Sequence, residues 1–239
     1  LSEFFIEVES VTKRYGEIIA VNDVSLQIER GEVFSLVGRN GAGKSTLIRM
    51  MVGITEPDAG RVKVCGEDLA HRMPKTKRHL GYLPEELILY DRLTGEEYLR
   101  LVAGLKEADA SKIEAELEYF ELAHAKDKLV GGYSLGMRKK LGLAAAMTGS
   151  PDVLILDEPL NGLDVEMMRK LRLRIETERA EGRAVIVSSH VMSFVERVSD
   201  RVAMMKAGRI VALETPAELR AMTGLMDEQF EDVFFQLAG

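Results

Sequence analysis

Gly38-Arg39-Asn40-Gly41-Ala42-Gly43-Lys44-Ser45 is the stretch whose reading decides the fold. It satisfies GxxxxGK[ST] in full, a loop whose glycines let backbone N–H groups curl around phosphate oxygens. Its flanks agree. Upstream, Glu32 to Val37 (EVFSLV) is almost continuously apolar, as expected of a buried parallel strand, and downstream Leu47, Ile48 and Met51 recur at helical spacing. Strand, glycine loop and helix N-terminus together make a phosphate cradle of Gly38, Asn40, Gly41, Ala42, Gly43, Lys44, Ser45 and Thr46. The Lys44 ammonium meets the outer phosphates and is a candidate for catalysis, Ser45 is placed to ligate Mg2+, and Thr46 reaches an inner phosphate.

A second segment, Val153-Leu154-Ile155-Leu156-Asp157-Glu158-Pro159, puts two carboxylates at the end of an apolar strand. After a phosphate-binding loop that is where a metal partner and a base are needed. Asp157 would hold Mg2+ through water, and Glu158 would take a proton from an attacking water. A helix with Val165, Met168, Leu171 and Ile175 follows, then a strand at Ala184 to Val187. Strands at Val202 to Met205 and Ile210 to Leu213 flank a turn at Gly208, and Thr215-Pro216-Ala217-Glu218 has the form of a capping box. An alternating strand from Val24 to Ile28 precedes the loop. Thr94 with Glu97, and Ser111 with Glu114, have capping-box spacing, each opening a run with helical periodicity. Residues from about 87 to 149 therefore read as a helical insertion in an α/β core.

The 239 residues suit one domain with an insertion, and the apolar share of 46% with 30% charged residues is a globular balance. A net charge of −7 weighs against direct nucleic-acid binding, which rests on basic surface. With Cys65 the one cysteine, no intrachain disulfide forms, and a reducing compartment is expected. Its neighbours Val62, Val64 and Gly66 suggest plain packing, and His71, His79 and His124 show no metal-ligand spacing. The start, LSEFFIEVES, has no secretory-signal pattern, and no apolar run approaches the ~18 residues of a membrane span.

Together these motifs resemble the ATPase subunits of ABC transporters, over nearly the whole chain. Tyr133-Ser134-Leu135-Gly136-Met137-Arg138 resembles the exporter-branch (ABC-2-like) form of the family signature LSGGQ, Asn161-Gly162-Leu163-Asp164 resembles the D-loop, and Ser188-Ser189-His190 the switch segment. The resemblance implies an α/β P-loop NTPase core with an antiparallel β subdomain and an inserted helical signature subdomain, one cassette spanning 1–239. It implies ATP and Mg2+ as ligands, with Glu158 as base and His190 touching the terminal phosphate. It places Tyr15 against adenine, ahead of the first alternating strand. Glu85, in Gly81-Tyr82-Leu83-Pro84-Glu85-Glu86, stands where the family normally has the Q-loop glutamine, and its oxygen still suits a hard cation.

Ser134 and Gly136 would bind the terminal phosphate of the opposite subunit, with Asp164 near the interface, although the residue pattern there equally fits a Ser N-cap. Two copies, a homodimer, would then clasp ATP head to tail and drive a separate membrane permease, from the cytoplasmic face of the cell membrane. The groove beside Glu85 would receive the permease's coupling helix. The tail from about 223 to 239 resembles the closing segment of exporter-type subunits, and its spacing of Phe230, Val233 and Phe234 equally fits a core-docking helix. The rival reading is a soluble ABC-type ATPase acting on ribosomes or nucleic acid. The absence of an NKxD sequence speaks against a GTPase.

Overall fold

The computed structural model describes residues 4–70 and 76–238; His71 lies outside them. The strands are β1 (Phe4–Tyr15), β2 (Ile18–Glu29), β3 (Val33–Gly38), β4 (Ala59–Val64), β5 (Glu67–Asp68), β6 (Leu80–Leu83), β7 (Val153–Asp157), β8 (Ala184–Ser188), β9 (Arg201–Lys206) and β10 (Arg209–Glu214). The longer helices are α1 (Lys44–Met51), α2 (Gly95–Lys106), α3 (Ile113–Tyr119), α4 (Leu135–Met147), α5 (Val165–Ala180), α6 (Met192–Val198), α7 (Pro216–Thr223) and α8 (Phe230–Ala238).

Two sheets organise the molecule. An antiparallel sheet runs β2-β1-β4-β5, and a second runs β10-β9-β3-β8-β7-β6, parallel except for its β9–β10 hairpin. Strands β3, β7 and β8 are buried at every residue because both faces of the sheet are covered. Alternate residues divide accordingly. Val153, Ile155, Ala184 and Ile186 pack with α1 and the antiparallel sheet, whereas Leu154, Leu156, Val185 and Val187 pack against α2, α4 and α5. A third cluster joins Val37, Val202 and Met204 to Phe230, Val233 and Phe234, so α8 is docked on the core.

Some local readings need correction. The sequence reading missed β1, β4, β5 and β6; Tyr15 closes β1, paired with Ile18, and so still precedes the alternating strand, which is part of β2. Thr94 and Thr215 do form full capping boxes with Glu97 and Glu218. Ser111 does not: Asp109 caps a short 3-10 turn ahead of α3, and the Ser111 N–H and hydroxyl both donate to it. Asp109 competes successfully because its carboxylate is the stronger acceptor.

Glu121 ties three helices. It follows α3 and accepts from Lys140 of α4 at 2.7 Å and Lys170 of α5 at 2.5 Å. These two ammonium donors pull its carboxyl down from 4.5 to about 2. A depressed carboxyl pKa adds stability above the unfolded value and loses it as pH falls toward the folded one. The side chain is 41% exposed, so screening holds the tie to roughly 1 kcal/mol or less. Glu121→Gln is expected to lower the urea midpoint at pH 7. That deficit should shrink between pH 4.5 and 2, measured against the wild type at each pH.

Candidate nucleotide site

All parallel strands of the second sheet point the same way, so the ends of β3, β6, β7 and β8 share one edge. That edge carries a cleft of about 510 Å3 lined by Ile18, Ile19, Ala20, residues 40–46, Glu85, Asp157, Glu158 and Ala207. The loop sits tightly over the core. A Cβ on Gly43, whose φ is +105°, would lie 2.2 Å from the Ala20 carbonyl oxygen, so only glycine fits. Gly208 N–H donates to the Ala42 oxygen at 2.9 Å, and Asn22 N–H to the Gly208 oxygen at 2.8 Å, which clamps the loop between β2 and the β9–β10 turn. Gly43 also opens α1 without a side-chain cap, and no acid stands in its first turn. The amide donors there are left for an anion. Lys44 Nζ lies over the loop, donating to the Gly38 oxygen at 2.7 Å.

Opposite the loop stand the carboxylates. Register pairs Asp157 with Ser188, whose hydroxyl donates to Asp157 Oδ1. Burial pushes the Asp157 carboxyl above its ordinary range, the Ser188 hydrogen bond and the charges of Lys44 and Lys139 oppose this, and nearby Glu85 adds to it. Glu158 takes a left-handed backbone (φ 46°), held by its N–H donating to the Ser188 oxygen at 3.0 Å. A non-glycine residue in that region stores backbone strain, and here it turns Glu158 out of the strand into the cleft. His190 Nδ1 lies 2.9 Å from Glu158 Oε2. A carboxylate only accepts, so Nδ1 carries the hydrogen and Nε2 is left for another partner.

Sequence reasoning missed Lys139, a charge beneath the site and outside the cleft lining. It is a buried cation on α4, and the charges of Asp157, Glu158 and Glu85 oppose the downward pull of burial on its ammonium. The signal was available: Lys139 precedes Gly142 and Leu143 by three and four positions, which puts it on the helix's buried side.

The other candidates lie elsewhere. Tyr15 is an exposed ring outside the cleft lining, stacked near the Lys13 ammonium, and its strand partner Ile18 lines the cleft mouth. Ser134 caps α4 by accepting from Met137 N–H at 3.3 Å, and Asp164 caps α5 by accepting from Met167 N–H at 2.8 Å. A Cβ on Gly136 would stand 3.1 Å from the Gly162 oxygen, so the signature-like segment and the D-loop-like segment adjoin. Neither Ser134 nor Gly136 lines the cleft that holds the glycine loop.

The family model described as "ABC transporter" matches residues 21–161, more than half of the chain. The chain belongs to the ABC transporter family. It is 36% identical to the bacitracin transport ATP-binding protein BcrA of Enterococcus faecalis, over 92% of this cassette and 72% of that protein. With the probable multidrug ABC transporter ATP-binding protein YbhF of Escherichia coli (strain K12) it shares 37% identity, covering 98% of the cassette but 42% of the relative. The cassette thus spans less than half the length of that relative. A solved ATP-binding subunit of an ABC transporter superposes with a TM-score of 0.92 at 31% identity, covering 98% of the cassette and 99% of that chain. The mixed parallel and antiparallel architecture is therefore that of an ABC ATPase.

Proposed function

We propose that this cassette binds and hydrolyses ATP between two copies of itself and so powers a separate membrane permease, most simply for export. The observation that carries this reading is the division of the site. The glycine loop, Asp157, Glu158 and Glu85 line one cleft, while Ser134 and Gly136 lie outside it, on the N-terminal turn of α4. A second copy placed head to tail would bring its Ser134 and Gly136 to the terminal phosphate, with Asp164 near the seam.

Ser45, Asp157 and Glu85 form an all-oxygen donor set on the cleft, which fits Mg2+. When bound, Mg2+ neutralises charge on the outer phosphate oxygens. Lys44 and the α1 amides orient the triphosphate. Glu158 accepts a proton from water as its oxygen bonds to the terminal phosphorus, and the bond to the ADP oxygen breaks. His190 positions Glu158 through their hydrogen bond. Since phosphoryl transfer asks mainly for positioning and charge, these groups suffice.

Among the described residues no helix is long and apolar enough to cross a membrane. The permease contact would lie beside Glu85, where Ile54, Tyr82, Leu87, Ile88, Tyr98 and Val102 line an open groove of about 380 Å3. Ile88 is 90% exposed there. Apolar side chains so exposed suit a partner helix. In this reading the cassette works from the cytoplasmic face of the membrane. The bacitracin and multidrug names of its relatives support an export role. In the test, the tagged cassette is purified from detergent-solubilised membranes. A polytopic membrane protein is expected to accompany the wild type and to be lost with Ile88→Glu, while the free variant still turns over ATP. Recovery with ribosomes instead would overturn the permease reading.

A further inference from the structure

The far edge of the parallel sheet, opposite the nucleotide cleft, brings together three residues widely separated in sequence. Register pairs Leu80 with Val153, so His79 and Asp152, the residues before them, stand side by side. Their side chains meet with His79 Nδ1 2.6 Å from Asp152 Oδ2. Cys65 joins them from the turn between β4 and β5, fixed by its N–H donating to the Phe5 oxygen at 2.8 Å. One donor atom from each of the three lies within 4.8 Å of the others. Spacing along the chain gives His79 no candidate ligand partners; the sheet register and the β4–β5 turn bring Asp152 and Cys65 to it.

We propose that Cys65, His79 and Asp152 bind a transition-metal cation of the Zn2+ class, clasping the antiparallel sheet to the edge of the parallel one. Thiol, imidazole and carboxylate in one cluster are a borderline-soft donor set, which selects Zn2+ or Co2+ over Mg2+ or Ca2+. Ligand atoms around a tetrahedral ion stand about 3.3–3.7 Å apart; the three groups here lie within 4.8 Å of one another, and the cation would enter by replacing the 2.6 Å hydrogen bond between His79 and Asp152. His79 and Asp152 are 48% and 47% exposed, which leaves an entry path and room for water as a fourth ligand. The thiol, pushed up to about 12 by burial and by the Asp152 charge, releases its proton to solvent when the cation binds. This site is distinct from the Mg2+ position: His79 precedes β6 and Glu85 follows it, with the whole strand between them.

The single cysteine makes the test specific, because any thiolate-to-Co2+ charge-transfer band must come from Cys65. Reduced, nucleotide-free cassette is titrated with Co2+. One equivalent is expected to raise that band in the near ultraviolet, unaffected by excess Mg2+ and displaced by Zn2+. The band should vanish in Cys65→Ser, and His79→Gln and Asp152→Asn should each need at least tenfold more Co2+. Normal ATP turnover without added Co2+ or Zn2+ serves as the folding check for each variant. Absence of the band in active wild-type protein would overturn the proposal. So would a band that persists unchanged in His79→Gln, which would mean simple thiol capture.

Discussion

Glu158→Gln is expected to bind MgATP as tightly as the wild type and to turn it over about 10²–10⁴ times more slowly, the usual contribution of a positioned general base. Glutamine keeps the size of the side chain and an oxygen able to accept from His190, 2.9 Å away in the wild type. It cannot take the proton. The backbone at φ 46° is held by the Ser188 carbonyl, a contact that does not depend on the carboxylate. Binding and catalysis should therefore separate: an unchanged nucleotide Kd with a collapsed kcat. In the proposed dimer hydrolysis would dissolve the sandwich, so the variant should also elute as a dimer in ATP. Wild-type kcat in Glu158→Gln would remove Glu158 from the base role.

The second large effect is expected from mixing two inactive variants. Ser134→Glu places a carboxylate where the partner's terminal phosphate should rest, and Lys44→Ala removes the ammonium from the loop. Each homodimer is predicted to lose nearly all turnover, because every site then contains one damaged half. In a mixed dimer the damage falls together at one site and leaves the other whole. If copies exchange freely, half the dimers are mixed and each has one of two sites intact, so turnover returns to roughly a quarter of wild type. A cleft completed within one chain gives no rescue at any mixing ratio. The measurement is steady-state phosphate release against the fraction of each variant, and only a bell-shaped curve is consistent with shared sites.

Much of this site was legible along the chain because its chemistry is local. A phosphate loop needs consecutive N–H groups, so Gly38 to Ser45 is contiguous, and the carboxylates Asp157 and Glu158 are adjacent because one strand end delivers both. The buried strands β3, β7 and β8 announced themselves as apolar runs, since a sheet covered on both faces has no polar side. Strands β1 and β4 were not legible for the converse reason. Each has one wet face, and β1 is broken by register shifts around Ser10, a non-glycine residue at φ 48°.

The sequence by itself thus determined the phosphate-binding loop, the acidic strand end and the membership of a P-loop family, because those features depend on neighbours along the chain. Tertiary structure alone decided which distant groups come together: the Lys139 ammonium within the field of the three carboxylates, His190 with Glu158, and Cys65 with His79 and Asp152. The physical reason is that strand order and register, set by burial across the whole sheet, bring together residues that no spacing in the chain relates.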